Sequence, residues 1–170
     1  MVSPGSNRTN HRLYKQPVMT DKQFIIRVYA LIFNEKKEVM LSDEYVLDTP
    51  MTKFPGGGLE FGEGIIDCLK REAIEEFGQS IEIISHFYTT DFFQKAMFYE
   101  NAQLISIYYT AKFTEPIRFK IAVKLNIFPE KINGSQSFRW KSMHELSPDD
   151  LTFPIDKKVA AMIKDLKILI

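Results

Sequence analysis

The sequence predicts an α+β domain built on a mixed sheet. Strand-like segments rich in Ile, Val, Tyr and Phe outnumber two helical periodicities, and the two kinds do not alternate in a regular strand–helix–strand rhythm. No internal repeat or linker divides the chain, and 170 residues are a natural size for one domain. Apolar residues make up 45% and charged residues 26%, which excludes a disordered chain, a fibre or a membrane bundle. Lys plus Arg equals Asp plus Glu at 22 each, which argues against a nucleic-acid coat or a polybasic membrane binder. One cysteine, Cys68, allows no disulfide within the chain and suits a reducing, cytoplasmic compartment.

Taken in order, residues 1–21 are polar and slightly basic (Arg8, Arg12, Lys15) and lack the apolar core of a signal peptide. They are expected to form a mobile tail, with the domain running from 22 to 170. Residues 23–33 read as a strand, with a turn at 34–37 and a possible hairpin partner at 38–41. The apolar run 24–33 is broken by Arg27 and falls far short of the ~20 residues a membrane span needs. Residues 48–55 carry Pro50 and Pro55 and read as a breaker stretch. A helix follows over 65–77, ended by Gly78, then strands at 81–89, 104–113 and 137–141. Ser147, Pro148 and Asp150 fit an N-cap, first and third position of a short helical turn. Ile155, Val159, Met162, Ile163 and Leu166 repeat at helical spacing and predict a final amphipathic helix.

The helix at 65–77 is poorly built for stability. Ile66, Leu69, Ala73, Ile74 and Phe77 form the stripe expected to be buried, while Glu72, Glu75 and Glu76 share another face. Like charges at i,i+3 and i,i+4 cost ~0.2–0.5 kcal/mol per pair, and acids near a helix C-terminus oppose its dipole. Such a cluster suits a hard divalent cation, Mg²⁺ or Mn²⁺, which takes oxygen ligands and bridges carboxylates to phosphates. A solvated acidic face is the plain alternative. Glu76→Gln is expected to abolish turnover and leave the fold intact, because the face is read as exposed. Gly56, Gly57 and Gly58 lie just before this helix, where glycine lets backbone approach a ligand, offering a carbonyl to a metal and amides to a phosphate.

These residues resemble the Nudix box, G-x5-E-x7-R-E-U-x-E-E-x-G-U, with U a bulky aliphatic. Gly57, Glu63, Arg71, Glu72, Ala73, Glu75, Glu76 and Gly78 fill its fixed positions, so the box spans 57–79. Ala73 is small for its position, and Gln79 replaces the last aliphatic, with Ile81 a candidate for that packing role. The resemblance implies an α/β/α sandwich and an enzyme that hydrolyses a nucleoside diphosphate linked to another moiety. By position, it implies Glu72, Glu75 and Glu76 as metal ligands, with the Gly57 carbonyl a further one. Glu72, Glu75, Arg71 and Glu63 would form the catalytic set, with Arg71 orienting the glutamates and Glu63 supporting it. In some members of the family the general base is a loop acid; here Glu130 is preferred over Glu100 and Glu115.

Substrate class is less legible. The signatures of the ADP-ribose, coenzyme A and NADH members are missing, which leaves a MutT-like nucleoside triphosphate pyrophosphohydrolase as the default. A nucleotide-sugar, ADP-ribose or dinucleoside polyphosphate hydrolase is the alternative, and a non-catalytic nucleotide sensor a further one. The expected partner is a small nucleotide, with neither nucleic acid nor membrane involved; a homodimer is compatible. Arg27, charged within an apolar strand, needs an anionic partner, either a substrate phosphate or a structural acid. Phe93, with Phe92 and Phe98, either stacks on a base or packs in the core. The resemblance places a base-reading polar group at the start of the last helix, where Asp156 stands; ordinary helix-start charge is the plain alternative. The domain carries an acidic block at 35–76 (11 acidic, 5 basic) and a basic block at 112–141 (7 basic, 2 acidic), which fit either joint binding of cations and anions or a plain solvated surface.

Overall fold

Strand β1 (Gln23–Ile32) organises the chain because both of its faces are apolar. Val28, Ala30 and Ile32 point to one side and Tyr29 and Leu31 to the other, all buried. The computed structural model describes residues 22–125, 128 and 130–166; the tail expected at 1–21 lies outside them, as does the side chain of Leu166. β1 pairs in parallel with β6 (Ala102–Phe113), from Gln23 opposite Ala102 to Ile32 opposite Ala111. On its other edge it pairs antiparallel with the short β4 (Gly56–Gly58), and β5 (Ile81–Thr89) lies antiparallel beyond β6. The resulting mixed sheet has the order β4-β1-β6-β5. A second, antiparallel sheet has the order β3-β2-β7, from β2 (Glu38–Val46), β3 (Thr49–Lys53) and β7 (Ser135–Ser142).

The two helices cover opposite faces. α1 (Ile65–Phe77) lays Cys68, Leu69, Ala73 and Phe77 against Val28, Ala30, Ile32 and Met40. α2 (Pro154–Leu166) lays Ile155, Val159 and Ile163 against Tyr29, Leu31, Val39 and Leu41. This is the α/β/α sandwich with a mixed sheet that the resemblance implied. Among the described residues no helix is long and apolar enough to cross a membrane.

Most element boundaries match the sequence pattern, and the departures have physical reasons. The expected hairpin of β1 with 38–41 reduces to one bridge, Phe33 to Val39, because both edges of β1 are taken by β4 and β6. The breaker stretch at 48–55 contains β3. Pro50 is tolerated there because β3 is an edge strand paired only with β2. Leu47 and Asp48 both adopt positive φ and close the β2–β3 hairpin. On α1, Ile74 is half exposed while Cys68 is buried. The helix is rotated toward its glutamate row, so that Glu72 and Glu76 lie over β4 while Glu75 stays in solvent. Gln79, in the last position of the box, is buried: its amide donates to the Pro116 carbonyl and accepts from the Arg118 N–H, while Ile81 packs in the core. Ser147 caps the turn Pro148–Asp150 in a capping box, as its spacing predicted.

Candidate active site

The glycine strand β4 brings α1 and β1 together. Gly56 has φ 130°, and a Cβ there would fall 2.2 Å from the Val28 carbonyl oxygen, so only glycine fits against β1. At Gly57 a Cβ would fall 2.0 Å from Glu72 Oε1. The missing side chain is therefore the space that the Glu72 carboxylate occupies. Glu72 and Glu76, one turn apart on α1, line a polar cavity of about 290 Å³ with Gly56, Gly57, Gly58 and Arg27.

Each carboxylate is held by a cation of the chain. Arg71 grips Glu63 with two parallel hydrogen bonds, Nε to Oε2 at 3.1 Å and Nη2 to Oε1 at 2.7 Å. Its Nη1 donates to Glu72 at 3.0 Å and to Glu75 at 3.2 Å, and Nη2 also reaches the Gly58 carbonyl at 3.0 Å. Hydrogen bonds from Arg71 and the Glu60 amide hold the Glu63 carboxyl down to about 2. Glu76 lies deeper. Its Oε2 accepts from the Gly56 N–H at 3.0 Å, and its Oε1 from Gln136 Nε2 at 2.8 Å and Lys53 Nζ at 3.4 Å. Burial pushes the Glu76 carboxyl up, against the pull of Lys53 and Gln136. Burial alone would lower the Lys53 ammonium, but Glu76 and Glu44 outweigh it and hold it protonated.

These contacts correct the picture of an exposed acidic face. Glu76 is only 10% exposed and Glu72 14%, whereas Glu75 is 57% exposed and does not line the cavity. Replacing Glu76 would strip a buried partner from Lys53, so Glu76→Gln is not the fold-neutral change expected from the sequence. Among the described residues no three acidic, His or Cys side chains stand close enough to form a ready metal cage. The donor chemistry still fits a hard divalent cation: two carboxylates and a glycine backbone face one cavity, with the Glu72 side chain in a cradle that a Cβ would fill.

A second, largely apolar cavity of about 390 Å³ adjoins the first and shares Arg27, Glu44, Val46 and Lys53 with it. Met97, Phe98 and Tyr99 form one wall, and Tyr29, Tyr108 and Asp156 lie inside. Arg27, the charged residue of β1, donates from Nε to the Tyr29 hydroxyl at 2.7 Å. Tyr29 stacks on Tyr108 with ring centroids 5.1 Å apart, and Tyr108 donates to Asp156 Oδ1 at 2.6 Å. Asp156 is fully buried, and its Oδ2 has no hydrogen-bond partner among the described residues. Burial pushes its carboxyl up to about 7, although the Tyr108 hydrogen bond, Lys53 and Arg27 pull it down.

The structure thus brings together Arg27, Gly56, Gly57, Gly58, Glu72, Glu76 and Asp156 around two joined cavities. Phe93 is 71% exposed and lines neither; Phe98 stands where an aromatic wall was expected. Glu130 is exposed and lines neither cavity, while Gly134 and Gln136 further along do. Sequence reasoning missed Glu44, Lys53 and Gln136. The only signals were a lysine just before the Phe-Pro-Gly run and acids in an otherwise apolar β2, neither of which reports a contact across two sheets.

Comparison with known proteins shows the family and the fold. The family model described as NUDIX domain matches residues 23–162. A stretch of 58 residues, 34% of this chain, is 41% identical to the RNA pyrophosphohydrolase of Ruthia magnifica subsp. Calyptogena magnifica. The chain spans 31% of the length of that curated relative. Among solved structures, the E. coli ORF135 protein superposes with a TM-score of 0.64 at 17% identity, covering 85% of this chain and 91% of that one. The MutT protein from Methanosarcina mazei Go1 gives 0.63 at 18% identity, over 86% and 97%. A UDP-X diphosphatase gives 0.58 at 12% identity, over 89% and 68%. At these identities the likeness is one of fold.

Proposed function

Because the chain belongs to the NUDIX domain family, we propose that it is a pyrophosphohydrolase cleaving a phosphoanhydride in a nucleoside triphosphate or related small nucleotide. One observation carries this reading: a carboxylate-and-glycine cavity and an aromatic cavity with a buried acid meet at Arg27. Phosphates suit the first chamber and a base the second. The free Cys68 is buried, in keeping with a cytoplasmic enzyme.

In this reading Glu72 and Glu76 hold a divalent cation, Mg²⁺ or Mn²⁺, with the Gly57 carbonyl as a further ligand; the exposed Glu75 joins them only by turning its side chain into the cavity. When bound, the ion would neutralise phosphate charge and lower the pKa of a bound water. The chain's own groups do the rest. Arg71 fixes the Glu72 carboxylate and ties it to Glu63 and Gly58. Arg27, anchored by Tyr29, presents its remaining guanidinium N–H groups to the phosphates at the junction. Gly58, where a Cβ would meet open space, lets a phosphate approach the backbone, while the bare Gly56 and Gly57 let β1 and the Glu72 carboxylate close in behind it. Asp156, beneath the aromatic chamber, reaches a polar edge of the base only when its covered Oδ2 is uncovered by the incoming ligand. Glu130 remains a base candidate only with movement of its loop toward Glu72.

A screen for phosphate release tests the reading, using nucleoside triphosphates, nucleotide sugars, ADP-ribose, dinucleoside polyphosphates and an RNA with a 5′ triphosphate. The RNA arm is included because the curated relative is named an RNA pyrophosphohydrolase. Pyrophosphate from a free triphosphate is the expected outcome. Turnover of sugar- or dinucleotide-linked substrates alone would move the chain to the alternative class. Binding without any turnover would make it a sensor.

A further inference from the structure

Lys53 ends the edge strand β3, yet its side chain is only 4% exposed. Its ammonium donates to the Gly56 carbonyl, and lies 2.9 Å from Glu44 Oε1 and 3.4 Å from Glu76 Oε1. Gln136 Nε2 donates to the same two oxygens, at 3.0 Å and 2.8 Å. Four side chains from β2, β3, α1 and β7 thus close a ring, with the remaining Glu76 oxygen on the Gly56 N–H. Both oxygens of Glu76 are already engaged by donors of the chain itself. We propose that Lys53 is a resident counter-cation that competes with the divalent metal for Glu76, an inference resting on the metal reading above.

Two carboxylates in one buried ring repel, and the ammonium between them holds them in place without metal. A divalent cation arriving at Glu76 meets that ammonium a few ångströms away, where like charges repel strongly in a partly buried site. The contact to Glu76 is the longest of the three, so the ammonium retreats onto Glu44 and Gly56. Metal alone therefore binds weakly. Lys53 also lines both chambers beside Arg27, so nucleotide phosphates give the displaced ammonium a new anionic partner. Metal and nucleotide then reinforce each other's binding, as linkage requires.

The test is Mn²⁺ binding to the full chain without nucleotide, followed by electron paramagnetic resonance, for the wild type, Lys53→Met and Glu72→Gln. At least tenfold tighter binding in Lys53→Met is expected; equal or weaker binding overturns the inference. If Lys53→Met does not fold, Lys53→Met/Glu44→Gln keeps the ring's net charge, and several-fold tighter binding is expected of it, unchanged binding again overturning the inference. Glu72→Gln separates the two levels. If it leaves Mn²⁺ affinity unchanged, the metal reading falls and this inference with it. If it weakens binding while the Lys53 variants fail to tighten it, the competition alone is refuted.

Discussion

Asp156→Asn isolates a buried acid that the fold holds near neutrality. The wild-type carboxyl is pushed from the ordinary 3.8 up to about 7 by burial, with the Tyr108 hydroxyl its one direct partner among the described residues. An acid whose folded pKa is raised takes up its proton more readily in the folded state. Its contribution to stability is therefore greatest below pH 3.8 and is lost as pH rises toward 7. At about 1.4 kcal/mol per pH unit the full span corresponds to about 4 kcal/mol, of which about 3 kcal/mol lies between pH 5 and pH 8.5. Asn keeps an acceptor for Tyr108 and carries no charge. Urea unfolding of both proteins at a series of pH values should show Asp156→Asn gaining on the wild type by a few kcal/mol as pH rises across that window. A constant difference would mean that Asp156 is ionised throughout, and the account of an uncompensated Oδ2 would be wrong.

Other changes probe the phosphate side. Arg71→Lys keeps the charge but loses the paired grip on Glu63, so kcat should fall by about 10²-fold through misplaced carboxylates, with the far-ultraviolet circular dichroism unchanged. Gly57→Ala forces a methyl onto the Glu72 carboxylate, which must swing away; activity should drop at least as far while the melting temperature changes by only a few degrees. Gly56→Ala meets backbone at Val28 and has no such escape, so it should destabilise the fold, a shift that calorimetry reads directly. Phe98→Ala should raise KM for the nucleotide whereas Phe93→Ala should not, since only Phe98 lines the aromatic chamber; equal effects would argue against that assignment.

What the sequence made legible follows from which contacts are local. Box spacing along α1 placed Glu72 and Glu76 on one face; the glycine run just before it reads as a loop in the sequence and is the short strand β4 in the structure, because its pairing with β1 is not local. Helix boundaries followed from Gly78 and the Ser147 capping box. The hairpin, by contrast, depends on which strand claims each edge of β1, and 23–41 alone does not contain β4 or β6. The exposed-face reading of the glutamates failed because solvent exposure depends on what lies opposite a helix. Here that is Lys53, Gln136 and β4, from three separate stretches of chain. Phe93 and Phe98 are indistinguishable by composition, and only the loop's path decides which one faces the cavity.

The central claim is that Glu72 and the cation it helps hold are needed for phosphoanhydride cleavage in the cavity beside Arg27. Phosphate and pyrophosphate release from nucleoside triphosphates should be measured at millimolar Mg²⁺ and in chelator, for the wild type and Glu72→Gln. Glu72 is the better choice than Glu76 because it lies outside the Lys53 ring and its cation, Arg71, keeps Glu63 as a partner. The account predicts release by the wild type with Mg²⁺, none in chelator, and a loss of at least 10²-fold in a folded Glu72→Gln. Turnover that persists in chelator or in that variant would contradict it.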